Sequence, residues 1–196
     1  MSIFRSKYFL WCILALPSIP MTILLIQGGE AIAELLHVSG EFAARMMIIA
    51  MIATPLQMIF SKRRWPLWLV RNRRYFGVAA FAYAAVHTLA YIIDMNSLKD
   101  MLAEFWALGI WTGWAAFVIF IPLAVTSNDA SQRAMRLWWK PLQRWVYPAA
   151  VLTLIHWIFV HNELGGALVH FIPLAALEGY RIYTNWQRGL YSAAQA

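Results

Sequence analysis

The sequence predicts an all-α integral membrane protein, a bundle of six transmembrane helices with both termini in the cytoplasm. Three observations carry that prediction. Hydrophobic residues make up 62% of the chain and charged residues only 13%, about half the charged share of an ordinary soluble domain. With so little charge to coat a surface, lipid must solvate most of it. Six apolar stretches approach the roughly 20 residues that a hydrocarbon core demands. The connections between them alternate in sign of charge, as the positive-inside rule requires.

The six stretches run from Tyr8 to Gln27, Phe42 to Phe60, Tyr75 to Ile93, Phe105 to Val125, Trp145 to Val160 and Ala167 to Tyr183. The first is long for a cleavable signal peptide and has no small-residue cleavage site, so it reads as a retained helix. The fifth and sixth are the shortest, and the sixth also admits a tilted or re-entrant course. Arg5 and Lys7 precede the first span. Lys62, Arg63, Arg64, Arg71, Arg73 and Arg74 fill the second loop, Arg133, Arg136, Lys140 and Arg144 the fourth, and Arg181 and Arg188 follow the sixth span. The other side carries Glu30, Glu34 and Glu41, then Asp94, Asp100 and Glu104, then Glu163, with Lys99 as the exception in a loop and Arg45 just inside the second span. The net charge of +7 is therefore spread as membrane topology requires, which argues against nucleic acid as its partner. Eleven Trp and eight Tyr suit the two membrane interfaces.

Residues 1–196 read as one transmembrane domain, with short loops, no defensible internal repeat and no low-complexity segment. No glycine-rich phosphate loop is present, so a nucleotide, flavin or molybdenum centre would belong to another chain. No Ser-His-Asp set converges in the pattern. Cys12 stands alone, without a disulfide partner or a Cys-His cluster for zinc. A small transporter is disfavoured by the lack of inverted repeats and the scarcity of intramembrane acids for ion coupling.

Ionisable groups within a span are costly and usually functional. His87 lies 13 residues after Arg74, and His156 lies 12 residues after Arg144. At 1.5 Å per residue both reach about 18–20 Å from the cytoplasmic edge. Their spans run in the same direction, so the two imidazoles share one level in the outer half of the bilayer. Two histidines at equal depth suit bis-histidine ligation of a haem, whose iron needs a neutral nitrogen on each face. Gly77, Ala80 and Ala84 share the face of His87, and Ala149 and Thr153 that of His156, which leaves room for a flat macrocycle. The alternative reading is a pair of hydrogen-bonded interhelical histidines among packing residues. His161 reads as interfacial or as an alternative ligand, and His37 and His170 as surface or interfacial residues. Arg45 enters the second span near the same level, where it would either meet an anionic group inside the bundle or snorkel outward.

Several segments resemble one family. They are Ser39-Gly40 with Ala43-Ala44, Thr54-Pro55, Arg73-Arg74 with Gly77, His87 with Tyr91, Leu123 to Ser127, then Trp139, Leu142, Tyr147 and His156-Trp157. In order and spacing, over about residues 37 to 160, they resemble the MsrQ (YedZ) family of ferric-reductase-like transmembrane domains, of which NADPH oxidases and STEAP proteins are distant relatives. The resemblance implies a haem b membrane subunit of a methionine sulfoxide reductase system, multi-pass in a bacterial inner membrane. It implies His87 and His156 as iron ligands; Arg45, close to their level in the second span, would then either pair with a haem propionate or snorkel outward. It further implies electrons drawn from quinol or a cytoplasmic flavin reductase and passed to a periplasmic molybdopterin oxidoreductase of the MsrP kind. FMN enters only through the resemblance. Such a chain is an electron-transfer subunit of an oxidoreductase rather than a catalyst by itself.

One departure matters. The family places a further histidine 13 residues before the position of His156, and here that residue is Gln143. An amide is a poor haem ligand, and Arg74, the residue at matching depth on the third span, has no lone pair to offer. The expectation is therefore one haem b near the periplasmic side, with Arg74 and Gln143 left to bind a quinone head group, to meet an inner propionate or to pack at the interface. The same departure keeps open a haem-poor structural or assembly subunit of a larger membrane complex.

Overall fold

The computed structural model describes residues 6–95, 97–161 and 164–193, without the side chains of 161 and 191–193. Arg5, Glu163 and the side chain of His161, all named above, lie outside the described residues. Every regular element among them is helical: α1 (Lys7–Ala15), α2 (Ser18–Gln27), α3 (Ala31–Ile59), α4 (Arg64–Met95), α5 (Leu98–Glu104), α6 (Leu108–Val125), α7 (Asp129–Met135), α8 (Trp139–Gln143), α9 (Val146–His161) and α10 (Leu164–Ala193), with a 3-10 turn at Arg136–Trp138.

Among the described residues four segments are long and apolar enough to cross a membrane: Lys7–Gln27, Ala31–Ile59, Arg64–Met95 and Leu108–Val125. This is fewer than the six expected, for two reasons. Helix α9 has 16 residues and reaches about 24 Å, short of a hydrocarbon core of about 30 Å. Helix α10 has 30 residues and is long enough, but Glu178, Arg181 and Arg188 make its second half amphipathic.

The element ends also differ from the apolar stretches. Helix α3 starts at Ala31, so Glu34 and Glu41 are helical rather than in a loop, and α4 starts at Arg64, so Arg71, Arg73 and Arg74 lie on the helix. Hydropathy marks where the apolar surface ends, whereas backbone hydrogen bonding continues into the polar interface. Pro66 fits near the start of α4 because the N–H groups of a first turn have no helical partner. The first span is broken into α1 and α2 at Leu16-Pro17. Pro17 has no N–H for the Ile13 carbonyl and its ring crowds that oxygen. The Tyr83 hydroxyl of α4 donates to the Leu14 carbonyl beside the break. Gly28 and Gly29 take φ of +64° and +55°, a left-handed pair that turns the chain sharply from α2 into α3.

Helix α3 is the centre of the bundle, packed along α4 and against α2 and α10, while α6 packs along α9 and touches α4. In lipid, helices gain little from the hydrophobic effect and associate through close packing of small residues. The buried positions fit this, with Ala43, Ala44, Ala80, Ala116, Ala149 and Ala167 all at or below 7% exposure. Ile19, Ile23, Val118, Val169 and Ile172 are exposed on the outside of the bundle, as lipid-facing side chains should be.

Candidate functional site

His87 on α4 and His156 on α9 meet inside the bundle. Their ring centroids are 5.8 Å apart and their planes cross at 87°. An iron about 2 Å from one nitrogen of each ring would set the centroids roughly 6 Å apart. Each ring is anchored by a third helix. His87 Nδ1 is 2.8 Å from the Leu36 carbonyl of α3, and His156 Nδ1 is 2.7 Å from the Gly109 carbonyl of α6. A carbonyl oxygen can only accept, so both Nδ1 atoms carry a hydrogen, and Nε2 is the nitrogen that a metal would take. This is the arrangement a metal-binding histidine needs, with the second nitrogen held by a backbone oxygen.

Two glycines make the approach possible. A methyl group at Gly113 would lie 2.5 Å from His156 Nδ1, and one at Gly40 would lie 2.9 Å from His87 Nδ1. Sequence reasoning from ionisable residues passes over Gly113. Its signal was nonetheless present, because Gly109 and Gly113 form a GxxxG pair that lets α9 approach α6 closely; a methyl group at Gly109 would itself strike Val160.

The histidines line a cavity of about 110 Å³ whose walls include Ala84, Gly113, Phe117, Phe120 and Thr153. A second cavity, of about 700 Å³, lies toward the basic end of the bundle and is lined by Gly77, Ala80, Arg74, Gln143, Tyr147 and Arg181 among others. The small residues on the face of His87 thus divide between the two: Ala84 serves the first, Gly77 and Ala80 the second. Ala149 lines neither and is fully buried in the packing. Phe120 lines both cavities and stands between them.

The remaining candidates are placed as follows. Arg45 does not line the histidine cavity. Its Nη2 pairs with Glu41 Oε2 at 2.6 Å, and its Nε donates to His170 Nε2 at 3.2 Å. Glu41 lines the cavity instead. His170, expected at the surface or interface, is half-buried, stacks 5.3 Å from Trp157 and is bonded to the Gly166 carbonyl. Its neighbours come from α3 and α9, which no reading of α10 alone reveals. His37 is largely exposed, 3.7 Å from Glu41.

Arg74 is tied to α7 through Asp129 and Gln132. The Asp129 carboxyl accepts from the Arg74 guanidinium, and that bond and charge hold it below the usual carboxylate range. Gln143 Nε2 donates to the Leu123 carbonyl at 3.1 Å and to Thr126 Oγ1 at 3.0 Å. Neither Arg74 nor Gln143 lines the histidine cavity, and among the described residues no histidine lines the second.

The residues present fit a six-coordinate haem at the first cavity: two imidazoles, each with Nδ1 held by a backbone carbonyl, and a glycine beside each ring. Among the described residues no group of three or more His, Cys, Asp or Glu converges, so the two histidines form the one donor pair of this kind that the geometry assembles there.

Residues 39–154 match the family of ferric reductase like transmembrane components. The chain is 30% identical over 165 residues to the protein-methionine-sulfoxide reductase heme-binding subunit MsrQ of Xanthomonas campestris pv. campestris, covering 82% of this chain and 72% of that protein. It is 30% identical over 160 residues to the subunit of the same name from Xanthomonas axonopodis pv. citri, covering 80% and 72%. The MsrQ of Azospira oryzae is 31% identical over 161 residues, covering 79% and 67%. No solved structure matches the chain significantly.

Proposed function

The chain belongs to the ferric reductase like transmembrane family, among the MsrQ subunits, and from that premise we propose that it is a membrane electron carrier holding one haem b between His87 and His156. The observation that supports this reading above the others is the pair of imidazoles 5.8 Å apart, each with Nδ1 held by a backbone carbonyl. When bound, the haem supplies a one-electron iron couple. The protein's own contribution is positional. Leu36 and Gly109 carbonyls hold each imidazole in one orientation, and their hydrogen bonds at Nδ1 raise the basicity of Nε2. Phe117, Phe120 and Trp157 surround the site with apolar surface and limit water.

In this reading the chain lies in a bacterial inner membrane with both termini in the cytoplasm. It takes electrons from quinol or a cytoplasmic flavin reductase and passes them to a periplasmic oxidoreductase, a methionine sulfoxide reductase of the molybdopterin, MsrP-like kind. The names of its relatives support that partner, since they are heme-binding subunits of protein-methionine-sulfoxide reductase. Among the described residues no histidine lines the second cavity, which favours a single haem. Arg45, already engaged by Glu41 and His170, acts by holding Glu41 at the cavity edge rather than by meeting a propionate directly.

The test is a reduced-minus-oxidised spectrum of the purified protein with pyridine haemochrome quantification. One low-spin b-type haem per chain is the expected result. A protein that carries no haem after expression with ample haem supply is instead a structural or assembly subunit, and the proposal falls.

A further inference from the structure

We infer that the second cavity is the head-group site of a para-quinol, read by two groups of opposite hydrogen-bonding sense: the Gln143 side-chain oxygen as acceptor and the Tyr147 hydroxyl as donor. The inference rests on the reading of quinol as electron donor and assigns residues to it.

The sense of Gln143 follows from its partners. Thr126 Oγ1 donates its own hydrogen to the Pro122 carbonyl at 2.6 Å, so toward Gln143 it can only accept. The Leu123 carbonyl likewise only accepts. Both neighbours of the amide are therefore acceptors, the nitrogen end must face them, and both amide hydrogens are used. What Gln143 has left for the cavity it lines is Oε1, an acceptor without a hydrogen.

Tyr147 is fixed in the opposite sense. Arg181 Nη2 donates to its hydroxyl oxygen, and a guanidinium cannot accept in return. The phenolic hydrogen is then left to donate. Arg181 is itself held by Glu178, 2.9 Å away and 8% exposed, and its cation lies 5.3 Å from the Tyr147 ring. Glu178 and Arg181 are thus positioning residues for the hydroxyl. Sequence reasoning placed Arg181 only as a basic residue after the sixth span.

A ligand that satisfies both groups must donate at one point and accept at another. A quinol does so: one hydroxyl donates to Gln143 Oε1 while an oxygen of the ring accepts from Tyr147. The cavity offers its ring the apolar walls of Met47, Met51, Phe81 and Phe120, and Phe120 is shared with the histidine cavity. The basic residues that also line the cavity, Arg71, Arg73, Lys140 and Arg144 among them, would attract a lipid phosphate or a propionate, but such a ligand brings only acceptors and leaves the Gln143 oxygen without a donor. The oxidised quinone cannot donate either. It loses the Gln143 bond, which favours binding of the reduced form and release of the product.

The experiment measures haem reduction by decylubiquinol in wild type, Gln143→Leu and Tyr147→Phe, with haem content and low-spin spectrum as controls. Tyr147→Phe keeps the ring in place and removes only the hydroxyl, so it carries the test if Gln143→Leu disturbs the packing of α6. Each variant is expected to raise the KM for quinol about fivefold to tenfold, the worth of one hydrogen bond, with haem content and spectrum unchanged. Unchanged KM in Tyr147→Phe, or in both variants, overturns the inference and leaves the haem carrier standing. A haem-loaded wild type that decylubiquinol does not reduce removes the quinol reading together with the inference. Two haems per wild-type chain also overturn it, because the second cavity then holds a macrocycle.

Discussion

His87 and His156 stand 5.8 Å apart with perpendicular rings, although they lie on helices α4 and α9 that make little contact with each other. Four helices cooperate in that pairing. Helices α4 and α9 supply the imidazoles, and α3 and α6 supply the carbonyls that orient them. A donor pair built this way is sensitive to the rotation of any of the four, which shapes the predictions that follow.

Replacing either histidine should remove six-coordinate low-spin haem. His87→Ala and His156→Ala are each expected to give a protein with little haem or with a five-coordinate spectrum. His161→Ala should keep a spectrum close to wild type. A normal low-spin spectrum in either of the first two variants would show that the iron is held elsewhere.

Gly113→Ala should weaken haem binding without unfolding the protein. Alanine favours the helix by about 1 kcal/mol, but its methyl group would lie 2.5 Å from His156 Nδ1 and displace the ring from the Gly109 carbonyl. Loss of such a supporting bond lowers affinity by about 10- to 100-fold. Gly40→Ala meets His87 at 2.9 Å and should act in the same direction but less strongly. Haem titration of the apoprotein reads both, and wild-type affinity in Gly113→Ala would contradict the geometry.

The Arg74–Asp129 pair should contribute to stability only above acid pH. The Asp129 carboxyl titrates below its ordinary value in the folded state because Arg74 donates to it. A group lowered on folding stabilises above its unfolded pKa of about 3.9 and loses that contribution as pH falls through the folded value. Wild type should therefore melt slightly higher than Asp129→Asn from about pH 5 upward, with the gap closing in more acid solution. The effect will be small, since the carboxylate is 72% exposed. A gap that widened toward low pH would give the wrong sign.

Reporter fusions decide the topology. Fusions after residues 65 and 138, and at the C-terminus, should report the cytoplasm, whereas fusions near Glu34 and Asp100 should report the periplasm. The C-terminal fusion is the most informative, because α9 is short and α10 amphipathic. A periplasmic C-terminus would mean that one of them does not cross.

The helical class and the meeting level of His87 and His156 were legible in the sequence. Helical rise is constant and arginines mark the membrane edge, so counting residues from Arg74 and Arg144 measures depth. Tertiary structure alone decided what surrounds each side chain at that depth. Rotation about a helix axis is set by packing against neighbours. Hence the Nδ1 bonds to Leu36 and Gly109, the turn of Arg45 toward Glu41 and His170, the fixing of the Gln143 amide by Thr126 and the second cavity beside Phe120 all depend on contacts between residues far apart in the chain.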